Sequence, residues 1–268
     1  MPEKPEVANH YSAQYGQFAD GVHEKVRRAA FGEDIGQNSW LTASELEGFA
    51  AKAGFDRSTE LLEIGCGSGG PALHLARRFG LSVTGIDINE AGISAANAAA
   101  EGLGGRARFF CHDGGNRLEL ADQSFNAAAI FDAINHIPDR EALLSQLHRL
   151  LRPGGILLFT DPVVITGPVT AVEIAARSSI GHFVFVPPGE NERMLKRAGF
   201  ELLSVEDATA NTALISSRWI AARKKWRVQL IARDGEDAVD GAIRFSQAVH
   251  ALSSSRRLSR FMYLARKP

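Results

Sequence analysis

The sequence predicts an α/β fold: a doubly wound, mainly parallel sheet with helices on both faces. Three observations carry that prediction. Strand-like apolar runs alternate with helix-like segments through about residues 58–162. The first of these runs breaks into a glycine-rich turn that opens a helix. Several of the runs end in acids or polar turns, at the sheet edge where open α/β folds bind their ligands.

The elements follow in chain order. Residues 1–6 are charged and proline-rich, a pattern of frayed ends. Val7, Tyr11, Tyr15, Phe18, Val22, Val26 and Ala29 then recur at three- and four-residue steps, one helical stripe that Gly16 and Gly21 divide. It reads either as a helix packed on the core or as a lid that turns Tyr11 and Tyr15 inward. Phe31–Thr42 is a loop carrying Trp40. Thr42 or Ser44 can cap the next helix, which ends near Gly54. Leu61, Leu62 and Ile64 form a buried strand with Glu63 near its end. Gly65, Cys66, Gly67, Ser68, Gly69 and Gly70 make the turn, and Pro71 begins a helix that stops at Gly80.

Leu81–Asp87 is a second strand ending in an acid. An alanine-rich helix, Glu90–Leu103, precedes a third strand, Ala107–Cys111, which runs into His112, Asp113 and Gly114. A fourth strand ends at Phe131 and leads into Asp132–Asp139. The amphipathic helix Arg140–Leu151 stops at Arg152–Gly155 and turns into the strand Ile156–Thr160. The second half is less regular. Helices are predicted at Val169–Arg177 and Glu190–Ala198, a strand at Phe200–Val205, and helical spacing over 211–252. The basic run Arg223–Arg227 reads most simply as a solvated helix face. Leu258–Arg266 is a last strand, expected to pair antiparallel at the sheet edge.

The chemistry of the turn depends on Glu63. Gly65, Gly67 and Gly70 satisfy the dinucleotide pattern, in which bare backbone and a helix start receive a pyrophosphate. A carboxylate two residues before the first glycine would repel a pyrophosphate and favours a cationic ligand. S-adenosylmethionine (SAM) carries an ammonium and a sulfonium and no phosphate. Asp87, at the end of the second strand, is placed to accept from ribose hydroxyls; its other reading is a cap for the following helix.

Composition sets the outer limits. The 268 residues carry a net charge of −1, with 45% hydrophobic and 23% charged residues, an ordinary globular balance. That charge leaves no basic footprint for nucleic acid. Two cysteines, Cys66 and Cys111, have no metal-ligand spacing and suit a reducing cytoplasm. No signal-peptide pattern and no membrane-length apolar run occurs. The expectation is a cytoplasmic protein, monomer or homodimer, without a metal.

Glu63–Gly70, Asp87 in GIDIN, Asp113 in HDG, the FD…HIPD segment and the LRPGG strand occur in order over about residues 58–162. In this set the chain resembles the class I SAM-dependent methyltransferases. Its flanks are similar to those of sarcosine and glycine N-methyltransferases and natural-product sugar O-methyltransferases. The resemblance implies a Rossmann-like, seven-stranded sheet with the last strand antiparallel, plus a helical cap, in one domain spanning 1–268. The N-terminal cap helices would occupy 1–55, the SAM-binding core 58–162, a helical insertion with the sixth strand 163–255, and the last strand 256–268.

It further implies that Glu63 helps hold the methionine ammonium, and that Gly65, Gly67 and Gly69, with Cys66 among them, approach the methionyl and ribose parts. Asp87 would bind the ribose with Ile88 beside the adenine. Asp113 and Gly114 would meet the adenine edge, and Phe131 and Asp132 would line the transfer end. Tyr11, Tyr15 and Trp40 would close over the cofactor. The acceptor would be a small molecule presenting N or O. His136 is the candidate base and Asp161 its orienting partner or an acceptor ligand; His136 also reads as a structural histidine. The sugar enzymes often have two adjacent histidines here, and the first is Asn135 in this chain.

Two rival readings remain. An NAD-dependent oxidoreductase would need a hydride-transfer constellation such as Tyr-x-x-x-Lys, and the tyrosines at 11, 15 and 263 supply none. A SAM-binding protein without turnover would share the turn but not need the polar edge at His136 and Asp161. The Mg²⁺ set of catechol-type enzymes is disfavoured because Pro162 follows Asp161. Trp40, Phe183, Phe185, Trp219 and Trp226 are either ordinary core or a cage for a cationic amine.

Overall fold

A computed structural model describes Tyr15 and residues 21–268. Seven strands form one sheet: β1 (Glu60–Ile64), β2 (Ser82–Asp87), β3 (Ala107–Cys111), β4 (Phe125–Phe131), β5 (Leu151–Ile165), β6 (Glu201–Asp207) and β7 (Leu258–Arg266). Their order is β3-β2-β1-β4-β5-β7-β6. The pairs β1–β2, β1–β4, β2–β3 and β4–β5 are parallel, and β7 runs antiparallel between β5 and β6. The expected sheet is therefore present, with one difference: the antiparallel last strand is inserted beside β5, and β6 holds the edge.

Strand β5 runs further than the apolar pattern of Ile156–Thr160 suggests. Its neighbour β7 pairs with it from Ile156 to Ile165, so hydrogen bonding extends past the residues whose side chains mark the core. Helices α1 (Gly21–Phe31), α2 (Ala43–Lys52), α3 (Gly70–Phe79), α4 (Glu90–Ala99) and α5 (Arg140–Leu150) come before or between the first five strands. Thr42 caps α2, accepting from Glu45 N–H at 3.2 Å, and Asn89 caps α4, accepting from Gly92 N–H at 3.0 Å.

Alternation along the strands divides the core between the two sheet faces. Leu61, Val83 and Ala127 pack with Leu75, Ala76 and Phe49, while Leu62, Ala128 and Leu157 pack with Leu143, Leu144 and Leu147. Burying a leucine in such a layer contributes roughly 1.5–3 kcal/mol.

The remaining helices are α6 (Ala171–Arg177), α7 (Glu190–Arg197), α8 (Thr209–Lys225), α9 (Arg227–Asp234) and α10 (Glu236–Ser254). Val26 of α1, Ala222 of α8, Leu230 of α9, and Val239 and Ile243 of α10 make a separate small core. This helical layer faces the carboxyl ends of β4 and β5, where a cavity opens between it and the sheet. Among the described residues no helix is long and apolar enough to cross a membrane.

Candidate active site

The carboxyl end of β1 turns at Gly65, whose N–H donates to Ile86 O at 2.8 Å. Its φ is +73°, and a Cβ there would lie 2.5 Å from Ala133 Cβ. Gly67 has φ +55°, and its missing Cβ leaves room for the Tyr15 hydroxyl. Only glycine satisfies both demands at these two positions. The turn is tied to β2 by Asp87, which accepts from Gly67 N–H and Asn89 N–H, each at 2.8 Å. Each carboxylate oxygen keeps a further acceptor site.

Glu63 is 1% exposed, and its Oε2 has no hydrogen-bond partner among the described residues. Burial pushes its carboxyl well above the usual carboxylate range, and the charge of Asp87 raises it further. Asp87 is itself raised by burial, against the lowering effect of its main-chain donors. The two acids predicted to act together therefore share one electrostatic neighbourhood. Tyr15, Glu63, Gly65, Cys66, Ser68 and Phe131 are among the residues lining a recess there, of about 30 Å³. An unpaired buried carboxylate oxygen beside bare backbone fits a cationic group such as the SAM ammonium, and it does not fit a diphosphate.

The other expected cofactor residues lie around this turn. Ile88 follows Asp87, and Cys111 Sγ contacts its carbonyl at 3.5 Å. Asp113 accepts from Gly115 N–H at 2.9 Å and Asn116 Nδ2 at 3.1 Å, which holds the loop after β3. Gly114 packs so closely over Ile64 that a Cβ would lie 2.6 Å from Cγ2. Gly69 is the left-handed N-cap of α3. Tyr11 lies outside the described residues. Trp40 differs from expectation: its side chain lines the larger cavity described next, and does not line the recess.

That cavity has a volume of about 460 Å³, within the range of small-molecule sites. Asn38 and Ser39 line both it and the recess. Asp132, Asn135 and His136 reach it from the carboxyl end of β4, and Trp40 stacks on Phe245 with centroids 6.4 Å apart. Asp132 adopts φ +53° and is fully engaged: Oδ1 accepts from Thr160 Oγ1 and Arg260 Nε, both at 2.7 Å, and Oδ2 from Trp40 N–H at 2.7 Å. It pins the Trp40 strap onto the sheet.

His136 closes a 3-10 turn, Ile134–His136. Its Nδ1 lies 3.0 Å from His182 O, so Nδ1 carries the proton and Nε2 is the accepting nitrogen. Burial pushes its pKa down to about 4, and the nearby Arg177 charge adds to that. The ring is neutral at pH 7. Asn135 is 1% exposed, and neither its Oδ1 nor its Nδ2 has a partner among the described residues.

Asp161 corrects an expectation. It is fully buried, accepts from Arg140 Nη1 at 2.6 Å, Asn191 Nδ2 at 2.8 Å and Val163 N–H at 3.1 Å, and does not line the cavity. It makes no bond to His136. Its side chain points to the α5 side of the sheet, where it neutralises Arg140. The solvated reading of Arg223–Arg227 also fails at its first residue, because Arg223 lines the cavity. Arg177 lines it too, 2% exposed, its guanidinium 4.5 Å from the Phe183 ring. Nothing in the local spacing distinguishes either arginine.

Known proteins resemble this chain in sequence and in fold. Residues 61–155 match a family described as a methyltransferase domain. Methyltransferase GfsG of Streptomyces halstedii is 29% identical over 225 residues, 75% of this chain and 78% of that one. The 27-O-demethylrifamycin SV methyltransferase of Amycolatopsis mediterranei is 34% identical over 157 residues, 57% of each chain. In fold, the chain is similar to Haemonchus contortus phosphoethanolamine N-methyltransferase 2, solved with phosphomonomethylethanolamine and S-adenosylhomocysteine (SAH). The TM-score is 0.82 at 22% identity, covering all of this chain and 61% of that one. The glycine turn with its two coupled acids, the sheet order and these relatives agree with a SAM-dependent methyltransferase domain over residues 61–155.

Proposed function

We propose that this enzyme methylates a nitrogen or oxygen nucleophile of a small-molecule acceptor bound in the 460 Å³ cavity. One observation carries the reading: the cavity adjoins the cofactor recess through Asn38 and Ser39, so an acceptor lies next to the glycine turn. SAM supplies a methyl group already activated on its sulfonium. The chain's task is to orient the acceptor and exclude water.

Glu63 and Asp87 hold the two ends of the cofactor, with the turn backbone between them. Tyr15 lies across Gly67, and admitting a nucleoside requires that ring to swing off the glycine, which makes it a lid. At the transfer end, Asn135 offers a donor and an acceptor with no protein partner among the described residues, suited to fixing an acceptor hydroxyl or amine. His136 Nε2 takes the proton that the nucleophile sheds. With a pKa of about 4 it is a weak base, available as the neutral ring at all physiological pH values. Proximity therefore supplies most of the rate, and proton removal a smaller factor.

The 27-O-demethylrifamycin enzyme acts, by its name, on a natural-product oxygen, which supports an acceptor of this class. The test is transfer of labelled methyl from SAM to a panel of hydroxylated and amine small molecules. Failure across the panel, with SAM binding intact, removes the acceptor assignment.

A further inference from the structure

The cavity wall carries an imbalance of charge. Asp132 is neutralised by Arg260 at 2.7 Å, Asp234 lies 3.2 Å from His23, and Arg27 is paired with Asp34 at 3.0 Å. Arg223 has no carboxylate within ion-pair distance among the described residues. Its Nη1 donates to Ser246 Oγ at 2.6 Å and to Ala242 O at 3.3 Å, and its guanidinium lies 4.3 Å from the Trp219 ring centroid. The donors on Nε and Nη2 meet no protein acceptor among those residues. Arg177 stands on the same cavity, over Phe183 and Phe245.

Removing a guanidinium from bulk water without a counter-ion is costly. The cost is visible in Arg223, whose pKa burial alone pushes down to about 10, leaving it protonated at neutral pH. The aromatic faces that could have caged a cationic acceptor are turned toward the protein's own cations: Trp219 toward Arg223 and Phe183 toward Arg177. A positive ligand group would meet two guanidinium charges there, and an anionic one would find three unused donors in a fork suited to carboxylate or phosphate.

We propose that the acceptor carries a carboxylate or phosphate that binds Arg223. This deepens the reading of the cavity as the acceptor site and rests on it. The anion sits on the α8–α10 wall, and the body of the acceptor extends along Trp40 and Val239 toward Asn135 and His136. The two ligands are thereby sorted by charge: acids at the glycine turn take the cationic cofactor, and arginines take the acceptor.

The test is calorimetry on the full chain with 6-hydroxy-2-naphthoate, 6-hydroxy-2-naphthyl phosphate and the neutral 6-hydroxy-2-naphthamide, each with and without saturating SAH. The wild type should bind one or both anions at least tenfold more tightly than the amide. Arg223→Gln should reduce that preference to below twofold, and Arg223→Lys should retain part of it. The ranking of the two anions identifies the group. SAH affinity should stay within twofold in both variants, which also reports that they fold. Equal affinity for anion and amide in the wild type, no binding of either anion, or a preference that survives Arg223→Gln overturns the proposal. Loss of SAH binding by the wild type would instead overturn the methyl-transfer reading and leave the anion result standing.

Discussion

Asp87 Oδ2 accepts the N–H of Gly67 at 2.8 Å, so the acid that ends β2 also sets the conformation of the turn that ends β1. In the proposed cofactor site, one side chain thus both shapes the turn and faces the ligand. Asp87→Ala removes both roles. SAM and SAH affinity, measured by calorimetry, should fall at least tenfold, about 1.4 kcal/mol or more. Asp87→Asn keeps an acceptor oxygen and should lose less. Unchanged affinity in Asp87→Ala would contradict the placement of the cofactor.

Glu63 gives the site a proton linkage. Its folded carboxyl titrates well above the unfolded value, so without ligand the stability it contributes is full below the unfolded pKa. That contribution is lost as pH rises through the folded pKa. A cationic cofactor reverses the balance by favouring the carboxylate. Between the unfolded and the folded pKa of Glu63, SAM binding should release up to about one proton. Calorimetry in buffers of different ionisation enthalpy reads that number directly. Glu63→Gln should abolish it, and proton uptake on binding would refute the linkage.

His136 works in the opposite direction. Its folded pKa of about 4 lies below the unfolded value near 6.5. The stability it contributes is present above the unfolded pKa and is lost as pH falls from there through about 4. His136→Gln should flatten that part of the pH–stability curve in urea titrations. In turnover, the variant should leave SAH affinity within twofold and lower kcat by roughly 10²-fold if the ring acts as a base. An unchanged kcat would assign His136 to holding the His182 carbonyl alone.

Asp161→Ala should act on stability and not on chemistry. It leaves Arg140 buried with its counter-ion gone, a change that typically costs about 3–5 kcal/mol. Urea unfolding should show that loss. The folded fraction should keep SAM affinity, because Asp161 lines neither the recess nor the cavity.

The contrast between Asp161 and Glu63 shows what the sequence made legible. Glycines with left-handed φ, an acid two residues before them and an acid closing the next strand are fixed by local chain geometry, and all lie at one edge. The expected sheet followed from alternation and from the apolar runs. Asp161 was placed at the correct edge, but strand position alone does not say which face its side chain takes once β7 extends the pairing.

Arg223 was hidden for another reason. Helix α8 has α1 and α10 packed against it and Trp219 and Arg223 on the cavity wall, so it has no single apolar stripe. An arginine turned inward then looks like its exposed neighbours Lys224 and Lys225. Arg260 was masked similarly, as a polar residue in an apolar strand, although it is 1% exposed and bonds both Asp132 and Glu45. In each case the missing information was a long-range partner.

The Arg260–Asp132 bond spans 128 residues of chain. Its cationic half belongs to β7, which follows the other described strands in the chain and joins β6 to β5. During synthesis, a ribosome-bound chain can thus assemble the nucleoside half of the protein while the Trp40 strap still lacks the clasp that fastens it. Catalytic competence should appear as a late, separate event in refolding, limited by the addition of β7 to the β5 edge, after which β6 can dock on β7.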